Sequence, residues 1–554
     1  MSSFASLLEK NNEYKSIEYS VKKKQLPLGV LGLSLTPKAH LIHTLCDNLS
    51  KKALVITNDE ASATKICADL VTMGMKACLF PATDRSFRSE QSHSREYESQ
   101  RLGVLGLICD NEAEAVVCSI EAAMQLTIPK KVLAEKSVLL ENGKDAELSK
   151  VLDALVCAGY VRADMVEGAG QFAHRGSILD FFPPDASSPV RIEFWGDTID
   201  SMAHFDILSQ RRTENADAIK ITPATEIVFD NDYSFAEKIE NFAASLKGKK
   251  HETVRESLFA DAEKLKGHIR LGSTDRYLNL AYEKCDTIFD YCDDFLLFAA
   301  DSHNIKERAA SSVKLLNEDI KMMFEDGVLC KGLDTFSIKW NDVVSFYEKQ
   351  GVIYLDNFAR GSFDTPVKDL ITMNVRQTSP WEGSLTVLED DLRPDLVRGY
   401  TAVVLAGTEK AAKSLCEDLN DDGFAANYFS TPPLNFITGQ INILNGALSF
   451  GMDYPADKLR IITSGRYKCD GKKRASGKKK FHDISQGLHS IEELHKGDYV
   501  VHSVHGIGIF DGIVDMEISG VHKDYIRIKY VGAEALYVPV TQLDLVSKYI
   551  GPHD

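Results

Sequence analysis

The chain has 554 residues, 44% of them apolar and 26% charged, and carries a net charge of −17 from 64 basic and 81 acidic side chains. At roughly 150 residues per domain this is about four domains, each large enough to bury a core without metal or disulfide staples, which excludes disorder for the bulk of the chain. So acidic an overall balance argues against non-specific DNA binding by the body of the chain, because phosphate contacts need a basic face.

Met1–Lys10 has no basic stretch leading into an apolar core, and no run of about 18 apolar residues occurs. The expectation is a cytoplasmic protein without a membrane span. The eleven cysteines include no C-x-x-C pair and sit in apolar contexts such as Ala77-Cys78-Leu79-Phe80. They read as reduced core thiols, with no structural metal.

Taken in chain order, Ala53–Thr57 is a candidate buried strand. Ala61–Met73 is a helix placing Ile66, Leu70 and Met73 on one face. Ala77–Phe80 and Ala115–Val117 are further buried strands. This alternation implies a parallel sheet covered by helices. From about 135 to 222, Gln171–Pro183 and Val190–Asp197 alternate with period two between turn residues, which fits a small antiparallel α+β insert. Long amphipathic helices follow from Ser234 to about 350, interrupted by the apolar strand Phe295–Ala300. A third α/β unit spans about 365 to 465, marked by Ala402–Gly407 and the helical stretch Thr408–Leu419. Arg466 to Lys480 then holds eight basic residues against Asp470. That is +7, and it leaves −24 on the rest of the chain. With Gly471 and Gly477 and almost no apolar residues, this window reads as a solvated linker. The last 70 residues alternate strictly, as in Tyr525–Tyr530, between glycine turns, and imply a small β-barrel.

Catalytic motifs are incomplete. A phosphate-cradling loop needs G-x-x-x-x-G-K-[ST], in which backbone amides and lysine hold the phosphates and the hydroxyl ligates magnesium. Gly29–Thr36 keeps Gly29 and Thr36, but Ser34 replaces the second glycine and Leu35 the lysine. A magnesium-anchoring strand should end in paired acids. Phe295–His303 offers only Asp301, with Ala300 in the leading position. His502 and His505 lie three apart but fall on opposite faces of a strand. The residues alone leave two readings of Gly29–Thr36, an ordinary turn at a sheet edge or a decayed nucleotide site.

Several stretches together resemble the bacterial transcription-repair coupling factors (the Mfd family). They are Gln171–Pro183, Arg191–Asp200, Phe205-Asp206 through Gln210-Arg211, Gly497–Gly508, and Leu536–Val540 through Gly551. The resemblance covers the whole chain in order, as the N-terminal half of a family about twice as long. It implies a multidomain α/β protein: a degenerate P-loop-type domain like that of the excinuclease B subunit (1–132 and 223–355), split by an α+β insert (133–222). A third α/β domain (356–465), a basic linker (466–485) and a Tudor-like RNA polymerase-interaction domain (486–554) follow. The translocase motor would lie beyond this chain, as in a truncated or split protein, and ATP and magnesium would belong to that motor, leaving no cofactor here.

By the same resemblance, the insert binds the excinuclease A subunit through Arg175, Arg191 and Trp195, where Trp195 replaces the usual phenylalanine. Exposed arginine beside an aromatic is hot-spot composition, although Arg191 also fits the solvated face of a strand. The terminal domain would pair an edge strand with the RNA polymerase β subunit through Met516, Glu517 and Ile518; Met516 also fits a barrel core. The linker is either a tether or a weak DNA contact. The function implied is non-catalytic recruitment of excision repair to stalled polymerase. The rivals are an active excinuclease-B-like ATPase that inspects damage itself, and a transcription regulator acting through the barrel alone.

Overall fold

The computed structural model describes residues 3–83, 96–248, 251–268, 271, 274–359, 361–464, 496–497, 499–502, 506–518, 521–529, 535–539 and 546–548. It divides into two compact units, Met1–Ala475 and Ser476–Asp554. The basic window and His505 lie outside the described residues. Among those described, no helix is long and apolar enough to cross a membrane.

The first unit contains the expected strand–helix alternation. Its first sheet has seven strands in the order Asp369–Thr372, Leu28–Leu31, Ile353–Leu355, Leu296–Ala300, Ala53–Thr57, Ala115–Ser119 and Ala77–Phe80. Every neighbouring pair is parallel. Ala53–Thr57 and Ala115–Ser119 are buried along their whole length, because helices cover both faces of a parallel sheet. Ala77–Phe80, expected as a buried strand, is instead the edge, and only Phe80 in it is fully buried. Asp369–Thr372, from within the stretch assigned to the third domain, edges the first sheet on its other side.

The insert is a six-stranded sheet in the order Arg212–Asn215, Thr198–Phe205, Val190–Trp195, Ile178–Phe181, Gln171–Arg175 and Val161–Arg162. It is antiparallel apart from the short last pair. The helix Leu148–Cys157 lays Val151 and Leu155 against Phe172, Leu179, Phe181, Val190, Ile192 and Phe194 on one face. Cys157, at the end of that helix, is exposed rather than a core thiol. Val138–Glu141 pairs with Ala218–Ile221 where the insert leaves and rejoins the first domain.

A third sheet runs Arg376–Thr378, Gly451–Tyr454, Leu459–Thr463, Thr401–Leu405, Ile441–Leu444, Ala426–Phe429, parallel in its last four strands. The helix Leu35–Leu49 is buried from Thr36 to Cys46. Its Leu41, Ile42 and Leu45 join Leu28 and Val55 of the first sheet and Val403, Met452 and Ile461 of the third in one apolar cluster. The two α/β regions therefore share a core. The second unit is a five-stranded antiparallel sheet in the order Ala535–Pro539, Val521–Lys529, Gly506–Ile518, Tyr499–His502, Val546–Lys548.

Candidate functional site

The sequence places Gly29–Thr36 where a nucleotide-binding turn would be, and the backbone does run strand, turn, helix: Leu28–Leu31, then Gly32 to Ser34, then Leu35–Leu49. Two of its amides are directed at the protein itself. Gly32 N–H donates to the Asn357 carbonyl and Leu33 N–H to that of Asp356, each at 3.1 Å. Gly32 has φ +83°, and a Cβ on it would lie 2.2 Å from the Met373 carbonyl oxygen. The segment after the edge strand thus closes over the turn. The Ser34 side chain makes no capping hydrogen bond, Leu35 is half-buried, and Thr36 Oγ1 donates to Asp69 Oδ2 at 2.9 Å. Asp69 also accepts from the Ser449 amide at 2.7 Å and its hydroxyl at 3.0 Å. Burial pushes its carboxyl up to about 6, against the opposing hydrogen bonds from Ser449 and Thr36.

The acidic strand exit is filled in a comparable way. Ala300 ends its strand, and Asp301, at φ +78°, accepts from Asn304 Nδ2 at 2.5 Å. Asp356, following Ile353–Leu355, accepts from the Ser302 amide and hydroxyl at 2.7 and 2.6 Å. Lys38 is buried nearby; burial lowers its pKa, while Asp301 and Asp356 partly offset this. Lys38, Asp69 and Asp356 were not singled out from sequence. Asp69 carried a signal, since it lies three residues after Ile66 on the apolar face of its helix. Lys38 carried none, because a lysine one turn into a helix usually points to water.

Arg175, Arg191 and Trp195 come together on the second face of the inserted sheet, opposite the helix-covered core. Register decides this. Arg175 pairs with Ile178 and Ile178 with Glu193, while Asp180 pairs with Arg191 and Trp195 with Thr198. Directly paired residues share a face, as do residues two apart on one strand. Trp195, at the hairpin tip, is 82% exposed. Arg175 is exposed and donates to the Asp164 carbonyl at 2.7 Å, and Ile178 beside it is also exposed.

Arg191 departs from the expected free hot-spot arginine, because its side chain is only 20% exposed. Its Nε and Nη2 donate to the two oxygens of Asp180 at 2.7 and 2.8 Å. Nη1 donates to the Gln210 carbonyl, and the guanidinium lies 4.7 Å from the Phe205 ring centre. Such a bidentate fork fixes geometry as well as charge. Ile178 was hidden in the sequence because Ile178-Leu179 puts two apolar residues side by side, and alternation cannot say which faces out.

Met516, Glu517 and Ile518 end the long strand of the second unit, opposite Lys523, His522 and Val521. The neighbour on the other side, Tyr499–His502, pairs only with Gly506–Ile509. Among the described residues, the stretch from Gly512 to Ile518 is paired along one edge alone.

Comparison with known proteins follows this division. Residues 138–227 match the UvrB interaction domain, and residues 494–550 match the CarD-like/TRCF RID domain. A transcription-repair-coupling factor of Bacillus subtilis is 30% identical over 562 residues, covering all of this chain and 47% of the relative. One from Staphylococcus epidermidis is 25% identical over 573 residues, again with 100% and 47% coverage. A third, from Staphylococcus haemolyticus, is 26% identical and covers 95% of this chain and 45% of its own length. The chain fits the N-terminal half of a transcription-repair-coupling factor. It spans about half the length of these curated relatives. Arg175, Arg191 and Trp195 fall inside the first matched domain, and Met516, Glu517 and Ile518 inside the second.

Proposed function

We propose that this chain is a recruitment scaffold. The inserted sheet captures the excinuclease A subunit with Trp195, Arg175 and the Arg191-supported surface between them. The edge at Met516, Glu517 and Ile518 adds a strand to the RNA polymerase β subunit, within a Tudor-like barrel. The split first domain, in this reading, is a degenerate P-loop-type fold retained as a rigid platform, without ATP or magnesium. In the whole protein an ATP-driven motor, outside these residues, would translocate on DNA and displace stalled polymerase. The basic window at 466–480 would add at most a weak DNA contact. The setting is the bacterial cytoplasm.

The observation that carries the reading is the contrast at two sites. The Gly32 and Leu33 amides, the Thr36 hydroxyl and the Asp69 and Asp356 carboxylates are taken up by internal partners, whereas an exposed tryptophan and arginine share the uncovered end of one sheet face. An excinuclease-B-like ATPase needs the opposite, free phosphate donors in the turn. Capture of the chain on immobilised excinuclease A subunit, alongside titration with a fluorescent ATP analogue, tests this. Saturable capture with no saturable nucleotide binding is the expected pair of results. Micromolar nucleotide affinity would restore the ATPase reading, and co-elution with a polymerase β-lobe fragment that survives Met516→Arg would remove the proposed edge.

A further inference from the structure

The terminal sheet has an outer face that its proposed edge contact does not use. Val500, Phe510, Ile526 and Ile528 are buried on the inner side. Directly opposed pairs fix the other side: Tyr499 faces Ile509, Ile509 faces Lys529, and Arg527 faces Tyr537. Since paired residues and residues two apart share a face, these five stand together on the outside. Tyr499 is 56% exposed, Ile509 39% and Tyr537 41%. Four strands separate Tyr499 from Tyr537 inclusively, which at the usual strand spacing is about 14 Å.

Among the described residues, the charge on this face is concentrated around one carboxylate and is net positive. At the register shift between Phe510 and Gly512, Asp511 turns its carboxylate to three cations. They are Lys496 at 3.2 Å, Arg527 at 2.5 Å and Lys529 at 2.8 Å. One carboxylate thus gathers three positive groups and leaves an excess of two. Those contacts hold its carboxyl low, at about 2, so the arrangement stays charged at any physiological pH. Lys496 and Lys529 remain largely open to solvent.

We propose that this face binds single-stranded nucleic acid, with Tyr499 and Tyr537 as base-stacking platforms and Lys496, Arg527 and Lys529 as phosphate contacts. Cations alone would serve an acidic peptide equally well. Two exposed aromatics spread across four strands, interleaved with those cations, fit bases and backbone together. A four-stranded sheet bearing exposed aromatics is a known way to stack two or three bases. The register shift at Asp511 separates this face from Met516–Ile518 along the same strand.

Fluorescence anisotropy of the full chain with a labelled oligothymidylate of about 12 nucleotides tests the proposal. Saturable binding at low salt is expected, with a log–log salt slope of about −2 for three phosphate contacts on a single strand. Tyr537→Ala should weaken binding about ten-fold with the slope unchanged. Lys529→Gln should flatten the slope by about 0.7. Tyr537→Leu keeps an apolar side chain on the strand but removes the ring, and serves if the alanine variant does not fold. Absence of binding would overturn the proposal. So would binding unchanged in the Tyr537 and Lys529 variants, which would assign it to the 466–480 window. Poly-glutamate competing as well as oligothymidylate would make the face an acidic-protein site and would equally overturn it.

Discussion

The turn at Gly32 and the hairpin tip at Gly196 both place glycine at positive φ beside residues singled out for function, and the fold uses them in opposite ways. Around Gly32 the hydrogen bonds run inward: the Gly32 and Leu33 amides to Asn357 and Asp356, the Thr36 hydroxyl to Asp69, and the Ser449 amide to Asp69. Around Gly196 the chain reverses in the open and presents Trp195 to solvent. A motif position whose partners are internal contributes to stability. A position on a face with nothing above it is available for recognition.

The largest test of that contrast is one methyl group added at each glycine. Gly32→Ala would bring its Cβ within 2.2 Å of the Met373 carbonyl at φ +83°. A backbone clash added to left-handed strain should cost about 3 kcal/mol or more. Gly196→Ala, at φ +62° with no atom within 4 Å, should cost only the conformational term, about 1 kcal/mol. Urea unfolding of the two variants measures the difference, and equal destabilisation would mean that the turn is not closed over.

Trp195→Ala addresses the other half. With its ring 82% exposed, truncation should leave the unfolding midpoint in place. Capture by the excinuclease A subunit should weaken about 30-fold, or roughly 2 kcal/mol, as for an aromatic anchor at an interface. Lost stability with intact capture would reverse the assignment of this face.

Asp69→Asn is a subtler probe of the closed side. Because burial raises the Asp69 carboxyl to about 6, the folded chain holds that proton more tightly than the unfolded chain does. The stability it supplies is complete below the ordinary carboxylate value near 4 and is lost as pH rises toward 6. Asparagine keeps an acceptor for Ser449 and offers a donor to Thr36 without ionising. Its advantage over the native chain should grow between pH 4 and 6 to on the order of 2 kcal/mol, then level off. A pH-independent difference would show Asp69 to be ionised throughout.

Much of this organisation was legible in the sequence for a simple reason. Buried parallel strands are apolar on both faces, as in Ala53–Thr57, and a half-covered antiparallel sheet alternates, as in Val190–Trp195. Pairing partners distant in sequence were not legible. Nothing local says that Asp369–Thr372 edges the first sheet, that Ala77–Phe80 is its other margin, or that Ser449 reaches Asp69. The candidate recognition residues were found through their resemblance to a family, while their environment was not. Alternation put Arg191 on the right face but could not show that Asp180, Gln210 and Phe205 already hold it.

That environment sets the smallest expected effect. Arg191→Ala should weaken excinuclease A capture about ten-fold, near 1.4 kcal/mol, less than the loss at the more exposed Trp195. Arg191→Lys separates the two ways this could arise. Lysine preserves the charge but cannot supply the two parallel donors that Asp180 receives at 2.7 and 2.8 Å. If Arg191 acts by holding Asp180 and the Gln210 turn in place beneath the Arg175–Trp195 surface, lysine should fail almost as badly as alanine. Near-complete capture by Arg191→Lys would instead make Arg191 a direct contact through its charge, and the open part of the site would extend over the fork that the fold has closed.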